Sequence, residues 1–269
     1  MAGSSTSLAL AENLLSHIRA LEGLGSRYYA REGNRAGRAY IEGCLEGYGY
    51  RVETSQSEFQ GALYDSPWAI KAGKPGMEGA LYLLTAHFDS ISQDQDGGIL
   101  ADAPGADDNA SGVAVLLEVA RALAQLDLEH SVGFVFFNVE ETGQQGSKEF
   151  AKQWKDAGRR LDGVINIDTI GTWPVPLSQG GKVNTVTNDL SRPFLERLER
   201  NLTLPLKPAA TPWQDDHASF WAQGYPAIEL TEEGCTPVMH SPQDTSEKID
   251  IESVAGVAEA LIQLLSKPF

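Results

Sequence analysis

The sequence predicts an α/β sandwich folded as one domain, and three observations carry that reading. Stretches with strand-like apolar patterning alternate along the chain with stretches of helical periodicity. The 269 residues contain no internal repeat, no low-complexity run and no shift of composition that would mark a linker. His87, Glu140, Glu141 and Asp168 all fall at or near the ends of predicted strands, and open α/β sheets bind ligands outside the carboxyl ends of their strands. A single domain over 1–269 is expected, with residues 1–7 a disordered start or an artificial remnant replacing a removed leader.

Residues 8–22 and 34–48 read as helices; the second carries Tyr40, Ile41, Cys44, Leu45 and Tyr48 on one face and stops at Gly49. Residues 51–59 and 68–71 read as strands, and 80–85 as a buried strand ending at Ala86-His87. The loop 90–107 is long and holds Asp94, Asp96 and Asp102, which read most simply as solvated charges. Loops of that length in a compact domain are usually functional. Val113, Leu116, Leu117, Ala120, Leu123 and Ala124 then mark a buried helix over about 110–125. Residues 131–139, rich in Val and Phe, read as a central strand with Glu140-Glu141 just past its end. A helix follows from Gly146 to about Trp154, then a buried strand over 161–170 that Asp168 interrupts. Helices at about 189–200 and 216–222, a strand at about 226–230 and a helix at about 250–265 complete the chain.

The formal net charge is −16 and the pI about 4.7, which argues against nucleic acid or an anionic membrane as partner. A well-solvated surface explains most of this acid; the excess also suits divalent cations and cationic substrate groups. No apolar run is long enough to span a membrane. The first fifteen residues lack a basic n-region, and Glu12 interrupts their apolar stretch. The chain as written is therefore expected to be cytoplasmic, or periplasmic or secreted if a leader was removed, and to be a monomer. Cys44 and Cys235 form no CxxC pair, so no zinc knuckle is present. Cys44 reads as a buried free thiol, and a disulfide between the two stays open.

Chemistry concentrates in the glycine-flanked run from Pro104 to Gly112, which contains Asp107-Asp108-Asn109. One reading is that Asp108 or Asn109 caps the following helix. The other takes in His87, Glu141, Asp168 and His240: five nitrogen and oxygen donors that suit a pair of zinc ions, with Asp108 between them. Glu140 is then placed to take a proton from a water at the metals. Asp89, two residues after His87, fits a partner for the other nitrogen of that imidazole. His217 follows Asp215-Asp216 at a helix start. It reads as part of a capping cluster, or Asp216 and His217 support the metals or touch substrate. His17 and His130 sit among polar residues and read as surface.

Thr85-Ala86-His87-Phe88-Asp89-Ser90, the run Gly105 to Gly112, Glu140-Glu141 with Gly143 and Gly146-Ser147, Asn166-Ile167-Asp168, and His240-Ser241-Pro242-Gln243-Asp244-Thr245 resemble the co-catalytic zinc aminopeptidases of peptidase family M28. The resemblance runs from about residue 25 to the end. It implies a three-layer fold with a mixed, mostly parallel sheet of eight strands between helices, like other zinc exopeptidases. It implies two zinc ions per chain, bridged by Asp108 and a water or hydroxide. His87 and Asp168 would hold one zinc, Glu141 and His240 the other. Glu140 would be general base and acid, and Asp89 would support His87. The implied activity is removal of amino-terminal residues from peptides. The matched motifs contain no Lys or Arg to clamp a substrate carboxylate, so substrates with a free amino terminus are expected.

Two departures stand out. The loop between Asp89 and Gly105 is longer and more acidic than is common in the family, and Met239 stands where some relatives carry an oxyanion-stabilising Tyr. The related glutaminyl cyclases share the fold, bind one zinc and lack the Asp-Asn-Ala-Ser-Gly run, whose presence favours the peptidase. A glutaminyl cyclase-like acyltransferase and a non-catalytic binding relative are the competing readings.

Overall fold

Both faces of one twisted sheet are covered by helices in the computed structural model, which describes residues 2–75, 80–210, 213–232 and 238–268. The strands are β1 (Glu53–Phe59), β2 (Ala62–Lys71), β3 (Leu81–His87), β4 (Ser131–Phe137), β5 (Gly163–Ile167), β6 (Val183–Val186), β7 (Leu206–Pro208) and β8 (Ala227–Thr231). The helices are α1 (Ala2–Glu22), α2 (Glu32–Gly47), α3 (Gly112–Leu123), α4 (Gln145–Asp156), α5 (Arg192–Asn201), α6 (Asp216–Ala222) and α7 (Ile251–Leu265). The sheet order is β1-β2-β4-β3-β5-β8-β6-β7. Neighbours in the central block β4-β3-β5-β8 are parallel. The β1–β2, β2–β4 and β6–β8 pairs are antiparallel.

The alternation of side chains along β4 shows how the two layers are built. Val132, Phe134 and Phe136 face the core shared with α1, α3 and α7, where Leu14, Ile18, Leu116, Leu117 and Leu261 are buried. Val135 and Phe137 point the other way, onto Phe150 and Trp154 of α4 and Phe220 of α6. A strand buried on both faces reads as a continuous apolar run, which is why it is visible in sequence. Each such side chain contributes about 1.5–3 kcal/mol relative to exposure.

The structure departs from the sequence reading at the margins. α1 begins at Ala2, earlier than the helix predicted over 8–22; no proline or stop motif separates residues 2–7 from Leu8. β2 begins at Ala62, hidden in sequence by Asp65, Ser66 and Pro67. Over that part β2 pairs only with β1, since its pairing with β4 starts at Trp68, so Pro67 sits where no second partner needs its missing N–H. β6 and β7 are too short and too polar to stand out in sequence.

His17 and His130 are buried, 9 % and 5 % exposed, and are not surface residues. α1 packs across α2 and α3, so His17 lies between Tyr40 Oη at 2.7 Å and Glu118 Oε1 at 3.4 Å. Cys44 is a free, half-buried thiol. Cys235 lies outside the described residues.

The parallel block positions the site. In register, His87 stands opposite Phe137, Thr85 opposite Asn166, and Asn166 opposite Glu229. The carboxyl ends of β3, β4, β5 and β8 therefore reach one edge together. Among the described residues no helix is long and apolar enough to cross a membrane.

Candidate metal centre

β3 ends on His87, whose Nε2 lies 3.1 Å from Asp108 Oδ1 and 3.4 Å from Asp168 Oδ1. His240 Nε2 lies 3.0 Å from Asp108 Oδ2 and 3.0 Å from Glu141 Oε2. The two oxygens of one carboxylate thus face two different imidazoles. Two donor triads result, His87/Asp108/Asp168 and Asp108/Glu141/His240, each with its donor atoms within 4.8 Å of one another.

These side chains fit a pair of divalent cations. Asp108, Glu141 and Asp168 crowd into one site with little water access, an arrangement that costs free energy without positive charge. Glu141 Oε1 and Asp168 Oδ1 are buried with no hydrogen-bond donor. Burial, reinforced by Asp108, pushes both of those carboxyls well above the usual range. Burial also acts to raise Asp108, but His240 and His87 outweigh it and pull it low. Burial acts to lower His240, yet Asp108 and Glu141 raise it to about 11. The donors are nitrogen and oxygen without thiolate, a set suited to catalytic zinc.

The backbone around the triads is tightly held. The Asp108–Asn109 peptide bond is cis. Asp244 accepts the N–H groups of Asp107 at 2.8 Å and Asp108 at 3.0 Å. Asn109 Oδ1 accepts the Gly112 N–H at 3.0 Å, and its amide donates to Ile167 O at 2.9 Å. Asn109 therefore answers the first N–H of α3, while the Asp108 carboxylate faces the two histidines. Gly112 is required by close approach: a Cβ there would sit 2.5 Å from Asn109 Oδ1 and 2.7 Å from Ile167 O. Val139, Thr169 and His240 adopt positive φ of 60°, 47° and 55°. Left-handed backbone at β-branched residues is strained, and here it re-aims the chain beside Glu140, beside Asp168 and at a triad histidine.

Arg27 was not singled out in sequence, yet it is fully buried. Its guanidinium donates to the carbonyls of Phe88 at 2.7 Å, Pro104 at 2.6 Å, Gly105 at 2.8 Å and Leu21 at 3.2 Å. One side chain so ties the end of α1 to the segment after His87 and to the start of the Asp108 turn.

Asp89 differs in detail from its expected role. His87 Nδ1 is 3.1 Å from the Asp89 backbone carbonyl, whereas the Asp89 carboxylate is 3.6 Å away. A carbonyl only accepts, so Nδ1 carries the proton and Nε2 turns to Asp108 and Asp168. The carboxylate instead accepts the N–H groups of Glu140 at 3.1 Å and Glu141 at 3.2 Å. Glu140 lines the same cavity as the triads and accepts from Gln144 Nε2 at 3.0 Å. Burial pushes it up to about 7, with His87 opposing and Asp89 reinforcing.

The cavity holds about 300 Å³ and is also lined by Met239, Trp213, Thr169, Asp215 and Glu229. Asp216 and His217 are not among its lining residues; both are fully buried behind it. His217 Nδ1 touches Glu229 Oε2, and neither Asp216 oxygen has a hydrogen-bond donor. No side-chain cap bond forms at the start of α6 either. Glu229 had a sequence signal, a glutamate inside the apolar strand 226–230; Trp213 had none.

A profile described as peptidase family M28 matches residues 69–265. A probable leucine aminopeptidase of Trichophyton verrucosum (strain HKI 0517) is 27 % identical over 274 residues, covering 95 % of this chain and 72 % of its own length. In fold the chain is similar to a Zn-dependent exopeptidase from Parabacteroides distasonis ATCC 8503, with TM-score 0.78, 19 % identity and coverage of 96 % and 98 % of the two chains. It is equally similar to a glutaminyl cyclase from Fimbriiglobus ruber, with TM-score 0.79, 20 % identity and coverage of 95 % and 94 %. With the family profile covering well over half of its length, this chain belongs to peptidase family M28.

Proposed function

We propose that this protein is an aminopeptidase that works with two zinc ions, removing the first residue of peptides with a free amino terminus. The observation that carries this reading is Asp108, whose two oxygens face His87 and His240 separately. His87, Asp168 and Asp108 would hold one ion, and Glu141, His240 and Asp108 the other. Zinc bound there would polarise the scissile carbonyl and make water more acidic.

The rest of the chemistry falls to the chain's own side chains. Glu140 lines the cavity beside both triads without belonging to either. It takes the proton from the attacking water and returns it to the departing amine. Asp89 acts from below, holding the Glu140 and Glu141 backbone so that both carboxylates face the cavity. No Lys or Arg lines the cavity among the described residues, so a substrate carboxylate has no clamp, whereas an ammonium is welcome.

The test compares aminoacyl reporters with free and acetylated amino groups. Free reporters should be hydrolysed and blocked ones not. Equal rates on both, or cyclisation of an amino-terminal glutamine without hydrolysis, would refute the assignment.

A further inference from the structure

The cavity beside the triads carries more acid than peptide hydrolysis uses. Beyond the triads and Glu140, its wall includes Asp215, Glu229 and Glu232. Glu232 is engaged by Thr172, whose N–H and hydroxyl both lie 2.6 Å from it. Glu229, in the middle of β8, is 1 % exposed, its Oε2 touches His217 Nδ1, and burial reinforced by Asp215 pushes its carboxyl well above the usual range. The group it touches, His217 Nδ1, belongs to an imidazole that burial pushes down to about 4, so it is neutral at pH 7.

A carboxyl this buried keeps its proton until a cation answers it. An apolar substrate side chain would bring Glu229 no cation, and the α-amino group common to all substrates supplies one cation for several acids. The remaining lining is of another kind: Trp213, half exposed, and Met239 offer apolar surface at the mouth. A wall that is apolar in one part and anionic in another matches a long aliphatic stem ending in a cation, and the indole adds attraction for that cation.

We propose that the pocket selects peptides beginning with Lys or Arg, with Glu229, assisted by Asp215, as the specificity-determining acid. This rests on the aminopeptidase reading and goes beyond it, since the relative from Trichophyton verrucosum is described as a probable leucine aminopeptidase.

The experiment uses the zinc-loaded enzyme and two readouts. Inhibition constants are measured for L-lysine and L-norleucine, which share the α-amino group and the stem and differ at the tip. Values of kcat/KM are measured for lysyl, arginyl, norleucyl and leucyl reporters. Lysine should bind, and lysyl and arginyl reporters should react, about ten- to a hundredfold better than their apolar counterparts, the range expected for a buried charge-assisted contact. Glu229→Met should lower the lysyl value, raise the norleucyl value and invert the ratio; Glu229→Gln should move it part of the way. If Glu229→Met does not fold, Asp215→Asn must lower the same ratio. Preference for leucyl or norleucyl reporters in the parent, or an unchanged ratio in a natively melting Glu229→Met, overturns the pocket assignment alone. Tight lysine binding without hydrolysis of any free-amine reporter overturns the aminopeptidase reading and leaves the pocket assignment standing.

Discussion

Asp108 and Glu140, to which the proposed function assigns different work, are two carboxylates with different surroundings. Asp108 is pinned by Asp244 through backbone N–H groups and answered on each oxygen by an imidazole. Glu140 has one side-chain donor, Gln144, and a carboxyl that burial raises. Replacing Glu140 by Gln keeps the shape and removes the basic oxygen. Glu140→Gln should therefore lose at least ~10²-fold in kcat while zinc content is unchanged; loss of zinc in that variant would make Glu140 a ligand instead. Asp89→Asn puts an amide against two backbone N–H donors. It should cost about 10- to 100-fold in activity or zinc affinity, and parental values for both would remove Asp89 from the machinery. At this scale the triad residues were legible because each stands in a short motif, three of them at or just past a strand end and Asp108 and His240 in turns. Arg27, and the hold of Asp244 on the Asp107 and Asp108 backbone, were not, because Arg27 reaches the carbonyls of Phe88, Pro104 and Gly105 across 61 to 78 residues and Asp244 acts across 136 and 137, which no local pattern encodes.

Among the elements, the α1–α2–α3 layer hides a polar cluster beneath its apolar contacts. Glu118 on α3 accepts two bonds from Arg121, at 2.8 and 2.7 Å, and faces His17 on α1. Burial acts to lower His17, but Cys44 and Glu118 outweigh it and raise it from 6.5 to about 9. Burial acts to raise Glu118, but His17 and Arg121 bring it from 4.5 down to about 2. The raised His17 contributes stability that is complete below pH 6.5 and lost as pH rises through 9. The depressed Glu118 contributes stability that is complete above pH 4.5 and lost as pH falls through 2. His17→Gln should therefore be less stable than the parent by on the order of 2 kcal/mol near pH 6. Urea unfolding should show the gap closing above about pH 9; a gap independent of pH would mean that His17 acts through packing alone. In sequence His17 looked like a surface residue because its neighbours Ser16 and Arg19 are polar. Its partners come from two other helices. The same limit applies to β6 and β7, whose strand character comes from pairing at the sheet margin.

Across the molecule, one sheet edge gathers residues from positions 87 to 240 into two triads that share a single carboxylate. Alternating strands and helices implied an α/β sandwich but not the order β4-β3-β5-β8, and it is that order which brings the carboxyl ends together. The acid-rich pocket beyond the triads was less legible, since Trp213 and Asp215 lie in a loop and only Glu229 interrupts an apolar run. The central claim is that Asp108 serves two metal ions at once. The measurement that tests it most directly is zinc content per chain in the zinc-replete parent, by elemental analysis after removal of loosely held metal, with Asp108→Ala and His240→Ala alongside. Two zinc ions in the parent, loss of both in Asp108→Ala and loss of mainly one in His240→Ala is the predicted result; one zinc per parent chain, or an Asp108→Ala protein that still holds two, would contradict it.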